Sequence, residues 1–177
     1  IVSADDVKHD AGVGTEVQIV LDRTPFYAES GGQVGDTGVL TTATGSVQIT
    51  DTQRPIPGVI VHIGVVTSGT ITRGTVAHAM VDGVRRGHIQ RNHTATHLLQ
   101  RALRDVLGEH AAQAGSLVSP ERLRFDFTFN RPVSPEEIKS IEKGVRERVA
   151  AGLQHVDGGE RAQWMGRRRH AVAGDHH

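Results

Sequence analysis

The chain of 177 residues contains no cysteine. Disulfides and thiolate metal ligands are therefore excluded within it. It has no signal-peptide pattern and no apolar run of membrane-spanning length, which predicts a cytoplasmic protein without a membrane partner. It has no net charge, with 20 basic residues against 20 acidic ones, so overall charge argues neither for nor against nucleic acid. It also lacks an initiator methionine and begins at Ile1, as expected of a piece of something longer. A more local absence is informative. From Gly83 to Arg104 there is no acidic residue, while Arg85, Arg86, Arg91, Arg101 and Arg104 fall inside. Such a run would attract a polyanion, and it reads equally well as a solvated arginine face.

Within that basic run stand His93 and His97. Two histidines four apart on a helix project from one face, one turn apart, and can converge on one metal ion, with Zn²⁺ the usual occupant of such nitrogen-donor sites. The intervening Thr94-Ala95-Thr96 supplies no general-base carboxylate, so a zinc-protease reading has no support. A bare pair of this spacing is more often structural than ligating. Placement favours the metal: the apolar stripe of the helix runs through Ala95, Leu99, Ala102, Leu103 and Val106, and the histidines lie on its polar flank with Gln100 and Arg104.

Around this helix the chain changes character. Thr15 to Leu21 reads as a strand, and Asp22 to Gly38 is a loop dense in glycine. Short strand-like runs follow at Val39-Leu40, Ser46 to Thr50, Val59 to Ile63 and Thr75 to Val81, with turns at Thr44-Gly45, Pro57-Gly58, Ser68-Gly69 and Arg73-Gly74. His62 and His78 fall in these strands and read as packed or surface residues. Asp82 can cap a helix from Val84 to Leu107, stopped at Gly108. Leu123, Phe125, Phe127 and Phe129 alternate with polar residues as a strand, expected to floor a core under the histidine helix. Ser134-Pro135-Glu136-Glu137 is a capping box opening a second helix to about Ala151, with Ile138, Ile141, Val145 and Val149 as its stripe. The expected fold class is α+β: a small glycine-rich β-barrel over residues 1–82, an α/β two-layer unit over 83–153, and an irregular, non-native or disordered tail over 154–177.

Two stretches carry a resemblance. One is Leu21-Asp22-Arg23-Thr24-Pro25-Phe26-Tyr27-Ala28-Glu29-Ser30-Gly31-Gly32-Gln33-Val34-Gly35-Asp36. The other runs from Arg91 through His97, His110 to Val118 and Leu123 to Phe127 into the Pro135-Glu136-Glu137-Ile138 helix. Together they resemble the editing domain of bacterial alanyl-tRNA synthetases over about residues 13–152. The resemblance implies hydrolysis, at a zinc-dependent site, of tRNA for alanine mischarged with serine or glycine. Discrimination by size alone is modest for such small amino acids, so a second, hydrolytic site supplies fidelity. It implies His93 and His97 as zinc ligands and Gln113, beside the editing pocket, as a catalytic residue together with Thr24 and Gln33. Thr24 with Gly31, Gly32 and Gln33 match a motif that lines the site and senses the serine hydroxyl. Arg91, Arg101 and Arg104 are expected on the tRNA. ATP and Mg²⁺ belong only to the aminoacylation domain of the parent synthetase, the rest of whose chain is the other expected partner.

One departure stands against this. The family's remaining ligands come from a downstream Cys-x-x-x-His, and this chain has no cysteine. A truncation or frame disruption near Leu153 is expected to account for it, leaving an exposed apolar surface near Phe125–Phe129 or on the second helix. A freestanding trans-editing deacylase and a non-catalytic tRNA-binding fragment are the alternatives. The threonyl enzyme's editing domain shares the histidine pattern but not the Phe26-to-Gln33 run, and a release-factor reading of Gly31-Gly32-Gln33 is remote.

Overall fold

Valine and isoleucine alternating with polar residues build the first half of the chain into antiparallel strands. A computed structural model describes residues 2–3, 6–7 and 9–152. Strands β1 (Val2–Ser3), β2 (Asp6–Val7), β3 (Asp10–Gly12), β4 (Glu16–Val20), β5 (Gly38–Thr41), β6 (Gly45–Ile56), β7 (Val59–Thr72) and β8 (His78–Val81) come first. They form one antiparallel sheet of order β2-β1-β4-β7-β6-β5-β8, with β3 paired to β7. In β4 the alternation is strict: Val17 and Ile19 are buried between exposed Glu16, Gln18 and Val20. With Phe26, Leu40, Val47, Ile49, Val66 and Ile71 they form one apolar core.

Register shifts at Ser46/Val47, Ile49/Asp51 and Gln53/Ile56 bend the long β6–β7 ribbon around that core. The fold is α+β, and its first part is a bulged, coiled antiparallel sheet; pairing between β8 and the β1–β2 end is not among the described pairings. Both ribbon strands run well past the lengths expected from their residues. Ser68-Gly69, expected as a turn, lies within β7 and pairs with Ser46 and Gly45. Gly69 has φ 62°, and a side chain there would run into the Thr44 carbonyl. The glycine answers close backbone approach and not chain reversal.

The second layer consists of α1 (Gly83–Leu107), β9 (Ala112–Val118), β10 (Leu123–Thr128) and α2 (Pro135–Ala150). Strand β9 is an addition to the sequence expectation: Ala-Gln-Ala-Gly-Ser-Leu-Val has no alternation, and its strand state comes from antiparallel pairing with β10. Ala102, Leu103, Leu107, Ala111 and Ile141 form the core, and Phe125, Phe127 and Phe129 pack half-buried against it, as a floor under the distal half of α1. Of the expected α2 stripe only Ile141 is buried, while Ile138 and Val149 are exposed. The tail expectation for 154–177 lies outside the described residues.

Helix α2 starts where local chemistry dictates. The Ser134 hydroxyl accepts the Glu137 N–H at 3.2 Å, and a Glu137 carboxylate oxygen accepts the Ser134 N–H at 2.9 Å. Arg131 adds a forked pair to the same carboxylate at 2.8 and 2.6 Å. The guanidinium first, then the Ser134 N–H, lower the Glu137 pKa from 4.5 to about 2. A depressed carboxylate pKa stabilises the fold above its unfolded value, and the stabilisation is lost as pH falls through the folded one. Protection of the first-turn amides of α2 against exchange should therefore be full above pH 4.5 and decline toward pH 2. Glu137→Gln should flatten that dependence, and Ser134→Ala should cost about 1 kcal/mol at all pH values.

Candidate functional site

Helix α1 is capped by Asp82, whose side chain accepts the Arg85 N–H at 2.9 Å. Its buried residues are Ile89, Thr96, Leu98, Ala102, Leu103 and Leu107. Arg86, His93, His97 and Arg104 are spaced by seven, four and seven residues, which stacks them along a single polar stripe on the other side. His93 and His97 are half-buried, with ring centroids 4.7 Å apart and planes at 75°. The hydroxyls between them turn back on the helix: Thr94 donates to the Gln90 carbonyl at 3.0 Å and Thr96 to the Asn92 carbonyl at 2.9 Å.

At the start of the same stripe the helix grips the glycine-rich loop. Asp36 is 2% exposed. Its carboxylate is held by the fork of Arg86, with Nε at 3.2 Å from Oδ1 and Nη2 on Oδ2. It also takes the Tyr27 N–H at 2.7 Å. Arg86 reaches the Pro25 carbonyl at 2.7 Å and Arg85 the Gly35 carbonyl at 2.8 Å. The other end of the loop docks on β9. Gln33 bridges Val118, the Val34 N–H meets the Val118 carbonyl at 3.1 Å, and the Val118 N–H meets the Gly32 carbonyl at 2.8 Å. A side chain on Gly32, at φ 79°, would strike the Ser116 carbonyl. One residue on, Ser119 and Pro120 accept hydrogen bonds from Asn92 at 2.8 and 3.3 Å, beside His93.

The residues expected in the site are thus only partly assembled. Gly32 and Gln33 join β9, and through Asn92 the turn of α1 that bears His93. Gly31 is exposed next to them. Thr24 turns toward the sheet core, where its hydroxyl lies 2.7 Å from Nε2 of His62. Gln113 is exposed near the start of β9, five residues or roughly 17 Å from the Val118 junction. Of the basic residues, Arg91 is exposed, on a different face of α1 from the histidine stripe. Arg101 pairs with Asp105 at 2.9 Å and Arg104 with Glu109 at 4.0 Å, which offsets their charge. Asp36, Arg86, Asn92 and His62 have roles that sequence reading did not assign.

The donor chemistry suits zinc, but the donor number does not suffice. A catalytic zinc takes three protein ligands and an open position. Two imidazoles share the stripe, and among the described residues no group of three or more His, Cys, Asp or Glu could hold a metal ion.

Comparison with known proteins adds a family. The model of the tRNA synthetases class II (A) matches residues 1–85. The alanine–tRNA ligase of Roseiflexus sp. (strain RS-1) is 62% identical over 151 residues, covering 85% of this chain and 17% of that protein. The same enzyme of Chloroflexus aurantiacus is 64% identical over 146 residues, covering 82% and 16%. That of Herpetosiphon aurantiacus is 52% identical over 160 residues, covering 90% and 18%. The chain therefore spans less than one-fifth of the length of these relatives.

The ion pair between loop and helix is open to direct test. Asp36→Ala strands Arg86 and the Tyr27 N–H, and thermal or denaturant melting should show a loss of about 3 kcal/mol. Arg86→Lys keeps the charge but loses the fork, so its loss should be smaller.

Proposed function

The chain belongs to the alanine–tRNA ligase family, and on that premise we propose that it is the part of such an enzyme that hydrolyses aminoacyl-tRNA mischarged with serine or glycine. The observation that carries the reading is the polar stripe of α1. It bears His93 and His97 with rings 4.7 Å apart, and it is anchored at Arg86 to the loop holding Thr24 and Gly31-Gly32-Gln33.

In this reading tRNA(Ala) is the substrate carrier, the rest of the synthetase chain is the other partner, and the work takes place in the cytoplasm. His93 and His97 would hold a zinc ion together with ligands outside the described residues. Such an ion, when bound, polarises an ester carbonyl or lowers the pKa of a water. The chain's own contributions are positional. The helix fixes the two imidazoles, whose hydroxyl neighbours are tied back to helix carbonyls and do not compete for the ligand. Gly31, Gly32 and Gln33 form a tight turn against Ser116 and Val118 that lets a ligand approach the backbone closely. Arg91, with Arg101 and Arg104 behind their ion pairs, meets phosphate, and Gln113 is the glutamine that the resemblance puts beside the editing pocket.

One observation favours a second reading for this chain taken alone. Two donors are fewer than a catalytic zinc needs, so it would bind tRNA without hydrolysing its ester.

Release of serine from Ser-tRNA(Ala), measured with and without added zinc and after chelation, separates the two. Editing predicts zinc-dependent release that His93→Ala and His97→Ala reduce to the uncatalysed background, with near one zinc per chain by elemental analysis. Salt-sensitive tRNA binding without release supports the second reading. Absence of both overturns each.

A further inference from the structure

Phe129 differs from Phe125 and Phe127. Those two lie in β10, whereas Phe129 follows the last residue of the strand and carries ring partners of its own. The His110 imidazole lies nearly parallel to it, with planes at 9° and centroids 5.6 Å apart. The Arg131 guanidinium carbon sits over the same ring, 5.0 Å from its centroid. His110 is fixed from a second side as well. Its ring folds back on Gly108, where an added Cβ would come within 2.8 Å of its Cε1. Held at one face and one edge, the exposed imidazole keeps its other face open.

These rings belong to an open pocket of about 480 Å³ lined by His110, Thr128, Phe129 and Asn130. That size is ordinary for a small-molecule site. Its rim is polar. Asn130 is exposed, and its amide offers donor and acceptor side by side. The Thr128 hydroxyl gives its proton to the Ala112 carbonyl at 3.4 Å and keeps lone pairs as acceptors. Charge narrows the ligand further. The pocket lies just past the C-terminal end of α1, where helix carbonyls disfavour a phosphate, and Glu109 precedes His110 in the chain. A cation is disfavoured too, because the Arg131 guanidinium already takes the cation–π position on Phe129. A flat, uncharged ring with a hydrogen-bonding edge suits what remains, and a nucleobase has that form.

We propose that the His110–Phe129 stack is a platform for one unpaired base of an RNA strand, separate from the histidine pair. The proposal rests on reading the chain as part of an enzyme acting on tRNA, and it adds a second point of contact to that reading. Leu107 lies ten residues beyond His97, roughly 15 Å along α1. The base held here is therefore a different nucleotide from one whose ester would lie at the imidazoles. Stacking accepts any base, since each has a π face, and the Asn130 amide adds contacts to its edge.

The test is titration of the whole 177-residue chain with a short unstructured RNA carrying 2-aminopurine, whose fluorescence is quenched by stacking. Quenching is expected on binding. His110→Ala should weaken binding about tenfold, the scale of one base–aromatic stack, and His110→Tyr should keep it because the flat ring is retained. Phe129→Leu should weaken it as well, but Phe129 packs against the core. That variant is read only where the melting transition is retained, and the exposed His110 decides the question if it unfolds.

The same strand with an abasic site in place of 2-aminopurine, followed by competition, should bind about tenfold more weakly and be indifferent to His110→Ala. Equal binding of the abasic strand, or unchanged binding after His110→Ala, overturns the proposal. Adenosine alone binding as tightly as the strand overturns the assignment to RNA. None of these arms needs zinc or an aminoacyl ester. Base-dependent quenching in a chain that releases no serine therefore upholds the platform while the editing reading falls. Serine release with no base-dependent quenching upholds editing while the platform falls.

Discussion

The carboxylate of Asp36 in the fork of Arg86 is the interaction on which the arrangement of this chain depends. The loop from Asp22 to Thr37 lacks a regular ladder to satisfy its backbone, and buried backbone polar groups need partners. Asp36 provides several of them. Its side chain takes the Tyr27 N–H, its N–H meets the Tyr27 carbonyl at 2.9 Å, and its carbonyl takes the Thr52 hydroxyl at 2.8 Å. Thr52 in turn accepts the Glu29 N–H at 2.8 Å. A buried carboxylate is costly without a counter-charge, and Arg86 supplies it from the first turn of α1. Because Arg86 shares its stripe with His93 and His97, the same pair that makes the loop foldable sets its position relative to the histidines.

The parts of this arrangement that were legible in the sequence are the ones whose causes are local. Helix α1 follows from Asp82, a 3.6-residue period and Gly108, and the structure ends it at those residues. The capping box of α2 is likewise contained in four residues. Strand β10 follows from alternation. Strand β9 did not, because nothing in Ala112–Val118 prefers an extended chain until β10 offers it partners. Ser68-Gly69 has turn composition, yet it lies mid-strand because the Thr44–Gly45 backbone crosses close above it. Asp36 ends a run of glycines that was noticed for its glycines, while its partner lies fifty residues further on. Long-range ion pairs leave no periodic trace.

The basic run of α1 shows how helical geometry divides what sequence groups together. Five arginines without an intervening acid suggest a single field. In the folded chain Arg85 and Arg86 point into the loop, and Arg101 and Arg104 meet Asp105 and Glu109. Asp105 is shared with Arg148 of α2. Exposed ion pairs add little stability, but they cancel charge at the distances where a polyanion would feel it. Arg91 differs: its helical neighbours three and four residues away are Gly87, His88, Thr94 and Ala95, none of them acidic.

The histidine pair also constrains what any completed site would look like. On α1 the next positions along the stripe are Gln100 and Arg101, neither of which ligates a metal, so the helix offers two donors and no third. The β9–β10 hairpin packs with the apolar face of α1 through Phe125 and Phe127, on the side away from the imidazoles. The glycine-rich loop is tied down at Asp36 and at Val118, which leaves it little freedom to swing a carboxylate across. For a metal ion to sit between His93 and His97, its further ligands must come from an element that covers the polar flank of α1.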